Sequence, residues 1–188
     1  MTQIQVVRGI TMPFYPMRPA TGRVVRADDV AEIAQMARDE STWIVQPKLN
    51  EHRACLAVID KTVHVQNRHG GWYTKPVNNR DAFRKLPDRT VLDGGVFDGL
   101  FCPFELLALW GKPFLNATTA ERVIMAMQMA RLTGAPWRFE RPTKAWLARL
   151  RDNLPNYEGV VLKRANAPYV IAGSATQENS HWLRRRWA

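Results

Sequence analysis

The sequence predicts an α+β fold, and three observations support this class. Seven Trp, seven Phe and four Tyr in 188 residues supply enough apolar area for a hydrophobic core. Strand-like runs outnumber helical patterns and alternate with them irregularly, which is typical of α+β domains. Apolar runs are interrupted and far shorter than the ~20 residues of a membrane-spanning helix. We therefore expect a globular chain without a membrane partner.

The N-terminal half combines a proline-containing segment, one helix and several strands. Three prolines in the segment Met12 to Pro19 indicate irregular chain, so we expect residues 1–20 to form a loosely structured lead. Apolar residues at helical spacing behind two aspartates predict a helix from Asp28 to Arg38. The residues that follow predict three strands, the last two joined as a hairpin around Lys61: Trp43 to Leu49, Arg53 to Asp60 and Thr62 to Asn67.

The C-terminal half contains the clearest helix. The segment Thr118 to Thr133 begins with a possible capping box, formed by Thr118 and Glu121, and is followed by Gly134. A shorter helix is predicted from Lys144 to Asn153. The segment Thr90 to Leu109 predicts two strands separated at Asp98-Gly99. Three further strands are expected to close the fold: Glu158 to Arg164, Tyr169 to Gly173 and His181 to Trp187.

The chain is strongly basic. It carries 27 Lys and Arg against 17 Asp and Glu, which gives a net charge of +10 and a pI near 10.2. Such an excess favours a polyanionic partner, first of all nucleic acid, and a merely basic soluble protein is the alternative. Cys55 and Cys102 do not stand in a metal-ligand spacing, and the N-terminus lacks the pattern of a signal peptide. We expect a cytoplasmic protein.

Charged residues and glycines recur in short, ordered motifs. The first is Lys48-Leu49-Asn50-Glu51-His52-Arg53, in which a turn between two strands can aim an ammonium and a guanidinium group at one pocket. Five motifs follow it along the chain: Arg68 with Gly70 and Gly71, Leu92-Asp93-Gly94-Gly95-Val96, Pro103-Phe104, Glu158-Gly159-Val160-Val161-Leu162-Lys163, and Trp182-Leu183-Arg184-Arg185-Arg186.

In this order the motifs resemble those of the covalent nucleotidyltransferases, which include ATP-dependent DNA ligases, RNA ligases and mRNA capping enzymes. The chain looks most like phage- or bacterial-type ATP-dependent DNA ligases. Lys48 and Arg53 keep the lysine and arginine of the family's Lys-x-Asp-Gly-x-Arg motif, and the segment Glu158 to Lys163 matches Glu-Gly-Val-Val-x-Lys without a departure. The resemblance covers about Pro13 to Trp187.

The resemblance implies a fold and a set of site residues. The fold would be an adenylation domain of the ATP-grasp-like ligase type, with antiparallel sheets flanked by a few helices, as a single domain over residues 1–188. Lys48 would be the catalytic nucleophile that accepts AMP, and neighbouring arginines would favour its neutral amine. Glu158 would bind Mg²⁺ through a hard carboxylate oxygen. The ATP-binding residues would be Gln46, at the adenine edge, Phe104, stacked on the base, and Lys48, Arg53, Arg68, Glu158, Lys163, Arg184 and Arg186.

Several features depart from the family pattern. Asn50 and Glu51 replace the aspartate and glycine of the first motif. Gly95 replaces the glutamate that contacts the ribose in the family, and Asp93 or Asp98 are candidates to take over its role. The chain also ends at Ala188, before the OB-fold domain and final basic motif of typical DNA ligases. We therefore expect no OB-fold domain here, with a separate OB-fold or DNA-binding protein as a partner.

Three functions are consistent with these motifs. The first is an ATP-dependent DNA ligase that seals nicked double-stranded DNA through a lysyl-AMP intermediate, in repair, replication or recombination. The second is an RNA ligase or a capping-type nucleotidyltransferase. The third is a degenerate domain that binds nucleic acid without catalysis, which the departures at Asn50, Glu51 and Gly95 favour and the intact Lys48 and Arg53 oppose.

Overall fold

A computed structural model describes residues 3–22, 24–26, 29–136, 143–153 and 156–188. Contacts group the chain into two compact units. The first unit comprises Met1–Met17, Glu51–Trp137 and Pro168–Gln177, and the second comprises Arg18–Asn50, Arg138–Ala167 and Glu178–Ala188. The single domain over residues 1–188 stays a prediction.

The described residues form eleven strands, three α-helices and one 3₁₀ helix. The strands, in chain order, are β1 (Ile4–Val7), β2 (Ile10–Met12), β3 (Arg18–Thr21), β4 (Trp43–Leu49), β5 (His52–Ile59), β6 (Thr62–Asn67), β7 (Thr90–Phe97), β8 (Leu100–Leu109), β9 (Lys112–Pro113), β10 (Tyr157–Arg164) and β11 (Glu178–Arg186). The helices are α1 (Asp29–Met36), α2 (Thr119–Thr133), α3 (Lys144–Arg151) and the 3₁₀ helix Arg80–Lys85. None of these helices has both the length and the apolar character needed to cross a membrane.

The first unit is built on a five-stranded antiparallel sheet in the order β6-β5-β7-β8-β9. Alternate residues of β5 point to opposite faces, so Ala54, Leu56 and Val58 enter a hydrophobic core. Arg53 and Cys55 consequently lie on the other face of the sheet. Strand pairing places Arg53 opposite Gly95, and Cys55 opposite Asp93, on β7.

Helix α2 packs on β8 of the first unit, and its ends follow the sequence signals closely. Thr118 and Glu121 form the expected capping box, and Gly134 ends the helix with a φ of 67°. Arg122 of this helix is fully buried and donates from Nε to Glu105 at 2.8 Å. A buried charge needs such a partner because removal from water is costly.

The second unit contains a four-stranded sheet in the order β3-β11-β10-β4. The pair β3 and β11 is parallel, and the other pairs are antiparallel. Helices α1 and α3 contribute their apolar residues to one core with this sheet: Ile33, Ala34, Trp146, Leu147 and Leu150 join Val45, Val160 and Leu162. The side chains of β4 that alternate with Val45 therefore lie on the opposite face of the sheet.

The fold confirms the predicted α+β class, with largely antiparallel sheets and few helices. Two segments differ from expectation. Within the proposed loose lead, β1 pairs with β2, and β3 pairs with β11, so strand pairing orders much of its described part. The segment Tyr169 to Gly173 forms no regular strand and has one isolated bridge, between Ala172 and Tyr15. Asp28, the predicted first residue of a helix, lies outside the described residues.

Candidate functional site

Strand β4 presents Gln46 and Lys48 on one face of the second unit's sheet. Lys48 is paired with Gly159 of β10, which is paired in turn with Arg186 of β11. Two residues earlier on β4, Gln46 is paired with Val161 of β10, which is paired in turn with Arg184 of β11. Directly opposed residues of a sheet point to the same face. The pairing of these three strands thus brings four of the predicted site residues onto one face: Gln46, Lys48, Arg184 and Arg186.

The central contact of this face is a three-residue cluster, which we call the Lys48 group: Lys48, Glu158 and Arg186. The Lys48 Nζ and the Arg186 Nε each lie 3.1 Å from Glu158 Oε2. The side chains are 15%, 26% and 59% exposed for Lys48, Glu158 and Arg186. The strand register shifts between Tyr157 and Gly159, and such irregularities can re-aim a side chain. The sequence predicted cations around Lys48, and the structure adds a carboxylate in direct contact with its amine.

Gly159 follows Glu158 and is required by the close approach of β11. A Cβ atom at Gly159 would overlap the backbone oxygen of Arg185 and lie 2.8 Å from Cα of Arg186. The absence of a side chain therefore lets β10 and β11 stay paired at Gly159 and Arg186. This explains in physical terms why glycine directly follows the acidic residue of the Lys48 group.

The three consecutive arginines of β11 separate by strand alternation. Arg184 donates from Nη2 to the Thr21 hydroxyl at 2.5 Å and lies 3.0 Å from Glu178. Burial, followed by the charge of Arg18, lowers the pKa of Arg184. Arg185 is buried and turns to the other face, where it lies 3.8 Å from Asp29 in α1. Arg184 and Arg186 therefore lie on the Lys48 face, whereas Arg185 is part of the packing against α1.

Lys163 lies on the same face of the sheet as Lys48, four residues along β10 from Gly159. It is 2% exposed, and its Nζ lies 3.9 Å from the centre of the Trp182 ring, which is fully buried. An ammonium at this distance over an indole ring gains cation–π stabilisation. Its role in ATP binding stays a prediction.

The first unit holds a second set of polar residues, which we call the Arg53 group: Arg53, Asp93, Tyr169 and Cys55. Arg53 donates from Nε to Asp93 Oδ1 at 2.9 Å and from Nη2 to Asp93 Oδ2, and Nη2 also reaches the Met17 carbonyl at 3.2 Å. The Tyr169 hydroxyl donates to Asp93 Oδ2 at 2.9 Å, and Cys55 Sγ lies 3.4 Å from Oδ1. Asp93 is fully buried.

The electrostatics of the Arg53 group fix its protonation states. Burial opposes the charge of Arg53, but the carboxylate of Asp93 outweighs burial and the pKa of Arg53 is raised. Burial, and then Asp93, raises the pKa values of Tyr169 and Cys55 well above their ordinary values. Arg53 is consequently a permanent cation beside a neutral phenol and a neutral thiol. Cys55 is therefore a packing residue and not a reactive thiolate.

Of the other two predicted site residues in the first unit, Phe104 lies next to Arg53, whereas Arg68 lies in an exposed turn. The Phe104 ring centre lies 5.7 Å from Cζ of Arg53, so these two predicted residues are neighbours. Arg68 lies exposed in the turn after β6, where its Nε contacts His69 Nε2 at 3.0 Å. Asp93, one candidate for the role of the glutamate that Gly95 replaces, is buried and bonded to Arg53, Tyr169 and Cys55. Asp98 lies exposed in the turn between β7 and β8.

Among the described residues, no three His, Cys, Asp or Glu side chains converge as a metal-binding cluster. Mg²⁺ commonly binds to proteins through one or two carboxylates together with substrate phosphates and water. Glu158, a part-exposed carboxylate next to two cations, fits such a one-ligand role. Asp93 and Glu105 do not fit it, because each is fully buried in an ion pair with an arginine.

Several partners of the predicted residues carried no signal in the sequence. Tyr169 binds Asp93 from 76 positions further along the chain. Thr21 and Glu178 hold Arg184 from β3 and from the start of β11. Each of these three residues lies outside the recurring motifs, so only the folded chain reveals its contact.

Comparisons with known proteins define the class of fold. No protein-family model matches the sequence, and no curated protein matches it either. The ligase domain of LigD from M. tuberculosis superimposes with a TM-score of 0.68 and 20% identity over 92% of this chain. A mycobacterial DNA ligase D complexed with ATP and MES superimposes with a TM-score of 0.66 and 20% identity, also over 92% of this chain. A third structure, Pmar-Lig_PreS3, superimposes with a TM-score of 0.55 and 15% identity over 93% of the chain.

These comparisons show that the chain has the fold of ligase nucleotidyltransferase domains, as the sequence motifs predicted. The chain spans 59% and 60% of the lengths of the two mycobacterial structures and 47% of the third. It therefore corresponds to part of each of those proteins.

Proposed function

We propose that this chain is the catalytic core of an ATP-dependent DNA ligase, with Lys48 as the residue that carries AMP. The observation that carries the proposal is the Lys48 group, in which an amine, a carboxylate and a guanidinium meet on three strands. The ligase fold of the chain supports it independently. A solved relative in fold, mycobacterial DNA ligase D, is complexed with ATP, which supports ATP as the nucleotide.

The chemistry assigned to Lys48 needs a nitrogen nucleophile that can later act as a leaving group. Lys48 Nζ would form a bond to the α-phosphorus of ATP while the bond to the bridging oxygen breaks and pyrophosphate leaves. An ammonium has no lone pair, so it must first lose a proton. Glu158 Oε2, at 3.1 Å, is within the distance of direct proton transfer. AMP would then pass to the 5′-phosphate of a nick, and the 3′-hydroxyl would displace it.

The cations of the same face suit the charge of the transferring group. Arg186 is 59% exposed and shares Glu158 with Lys48, so it can exchange this contact for a phosphate oxygen. When bound, Mg²⁺ held by Glu158 would supply further neutralisation of phosphate charge. Arg184 is held more firmly, by Thr21 and Glu178, and supplies a fixed positive charge.

The Arg53 group is assigned to nucleotide binding and not to chemistry. Arg53 is fixed by two bonds to Asp93, so its position and charge are set before any ligand binds. Phe104, next to Arg53, offers an aromatic face on which a base can stack. Gln46, buried on β4 two residues before Lys48, offers amide groups to the edge of adenine.

Labelling with a radioactive α-phosphate tests the proposal. The protein is incubated with ATP or, in parallel, with GTP, and the covalent label is counted for wild type, Lys48→Arg and Lys112→Ala. We expect ATP to label the wild type and the Lys112→Ala control, because Lys112 is an exposed lysine outside the site. Lys48→Arg should not be labelled. Equal labelling of Lys48→Arg and wild type would refute the assignment of the nucleophile.

The polynucleotide substrate is tested separately. Nicked duplexes of DNA and of RNA, each with a 5′-phosphate, are offered with ATP, and we expect the DNA nick to be sealed. The net charge of +10 favours either polyanion, so binding alone does not discriminate between them. Sealing of RNA alone would identify an RNA ligase, and labelling by GTP would identify a capping-type enzyme. Binding without any label would identify a non-catalytic nucleic-acid-binding domain.

A further inference from the structure

Gly95, in β7 of the first unit, lies directly beneath a side chain from another segment. A Cβ atom on Gly95 would overlap Cγ of Glu51 and would lie 3.1 Å from Glu51 Cβ and 3.3 Å from Cδ. Gly95 does not have a positive φ, so its backbone conformation does not require glycine. Glycine is required there for space, because Glu51 already occupies the volume that a side chain at position 95 would use.

The two positions are therefore coupled: they exclude each other's side chains. Glu51 immediately precedes β5, and Gly95 is the strand neighbour of Arg53 in that same strand. The departures at positions 51 and 95 in the sequence are thus one exchange, in which the acidic residue and the glycine have traded places. The exchange keeps one carboxylate side chain above β7, but this carboxylate now comes from the turn before β5 and not from β7 itself.

The other acidic residues near this point are less suited to contact a ligand. Asp93 is fully buried and bonded to Arg53, Tyr169 and Cys55. Asp98 is exposed in the turn that directly follows β7. Glu51 is part-buried, and its charge acts on the nearby Arg53 together with that of Asp93. It is the carboxylate that stands beside Gly95 next to a fixed cation.

We propose that Glu51 is a nucleotide-binding residue that accepts hydrogen bonds from the sugar hydroxyls of the bound nucleotide, an inference that rests on the proposed function. A carboxylate is an acceptor and repels phosphate, so of the parts of ATP it matches the hydroxyl-bearing sugar. Hydrogen bonds to a charged group are also stronger than neutral ones. Glu51 therefore gives this chain a preference for ribonucleotides.

Equilibrium titration with ATP, 2′-deoxy-ATP and 3′-deoxy-ATP tests this role. We expect wild type to bind ATP about tenfold more tightly than at least one deoxy analogue, since one charge-assisted hydrogen bond is lost. Glu51→Gln keeps the size of the side chain and removes its charge, so it should reduce the difference in affinity between ATP and that analogue to about threefold, because the amide oxygen still accepts a weaker hydrogen bond. A purely structural role of Glu51 would change all three affinities equally. An unchanged preference in Glu51→Gln would overturn the proposal.

The exchange itself provides a second test. Gly95→Glu alone should weaken ATP binding about tenfold or more, because the new side chain overlaps Glu51, whereas Glu51→Gly with Gly95→Glu should restore both binding and the preference for ATP. Failure of the double variant to improve on Gly95→Glu would contradict the coupling of the two positions. Labelling at Lys48 in the same preparations separates the two proposals. A wild type that is labelled but shows no preference for ATP over the deoxy analogues refutes only the role of Glu51. A wild type that is not labelled refutes the proposed function, and the titrations still decide the role of Glu51.

Discussion

The Arg53 group and the Lys48 group use the same kinds of charge in very different surroundings. In the first unit, Asp93 is 0% exposed and is held by a guanidinium, a phenol and a thiol. In the second unit, Glu158 is 26% exposed and is shared by an amine and a guanidinium that is 59% exposed. A buried ion pair cannot exchange partners cheaply, whereas an exposed one can. We infer that the Arg53 group maintains structure and fixed charge, and that the Lys48 group is free to react.

Breaking the buried pair should give the largest loss of stability. We expect Asp93→Asn to lower the free energy of unfolding by about 3 kcal/mol, because Arg53, whose side chain is only 17% exposed, then loses the carboxylate that it is bonded to. Urea denaturation followed by circular dichroism measures this change. Asp98→Asn is the matched control, since Asp98 lies exposed in a turn, and it should cost less than about 0.5 kcal/mol. Similar losses in the two variants would show that the Arg53 group is not a stability determinant.

Neighbouring arginines of β11 offer a sharper comparison within one strand. Arg185→Ala should destabilise the protein by about 1–3 kcal/mol, because Arg185 is buried against Asp29 and Glu32 of α1. Arg186→Ala should change stability by less than about 1 kcal/mol. It should instead slow labelling by ATP about tenfold or more, because its guanidinium belongs to the Lys48 group. Urea denaturation and the rate of labelling by ATP are measured for both variants. Equal labelling rates in Arg185→Ala and Arg186→Ala would show that Arg186 has no special role in labelling and is only a solvated side chain.

The smallest expected effect is a pH dependence of the Arg53 group. Burial and Asp93 raise the pKa of Tyr169 above its ordinary value of 10.0, so the folded protein retains the phenolic proton where the unfolded chain loses it. The hydrogen bond to Asp93 therefore stabilises the fold fully below pH 10 and is progressively offset as the pH rises above 10. We expect the free energy of unfolding of the wild type, measured by urea denaturation, to exceed that of Tyr169→Phe by about 1 kcal/mol at pH 8. The difference should be smaller at about pH 10.5. A difference that does not vary with pH would contradict this role of Tyr169.

Local sequence signals predicted much of the fold. The strand from Trp43 to Leu49 and the capping box of Thr118 and Glu121 were predicted correctly, because alternation and capping depend on residues close together in the chain. The segment Tyr169 to Gly173 was wrongly predicted as a strand. It is held by long-range contacts, such as the bond from the Tyr169 amide to the Leu115 carbonyl at 2.7 Å, which no local pattern encodes.

The site was only partly predictable for the same reason. The motifs predicted roles for Lys48, Glu158 and Arg186, but they did not show that Glu158 contacts the Lys48 amine. The departures at Glu51 and Gly95 looked independent in the sequence. Their connection depends on the antiparallel pairing of β5 with β7, which brings the two segments side by side.

The most direct test of the proposed chemistry is to locate the nucleotide on the chain. The purified wild-type protein is incubated with ATP and digested, and the peptides are analysed by mass spectrometry. We predict AMP on the peptide that contains Lys48, attached through its side-chain nitrogen, and no AMP on any peptide of Lys48→Arg. AMP attached to a different residue, or a folded protein that binds ATP without acquiring AMP, would contradict the assignment of Lys48 as the nucleophile.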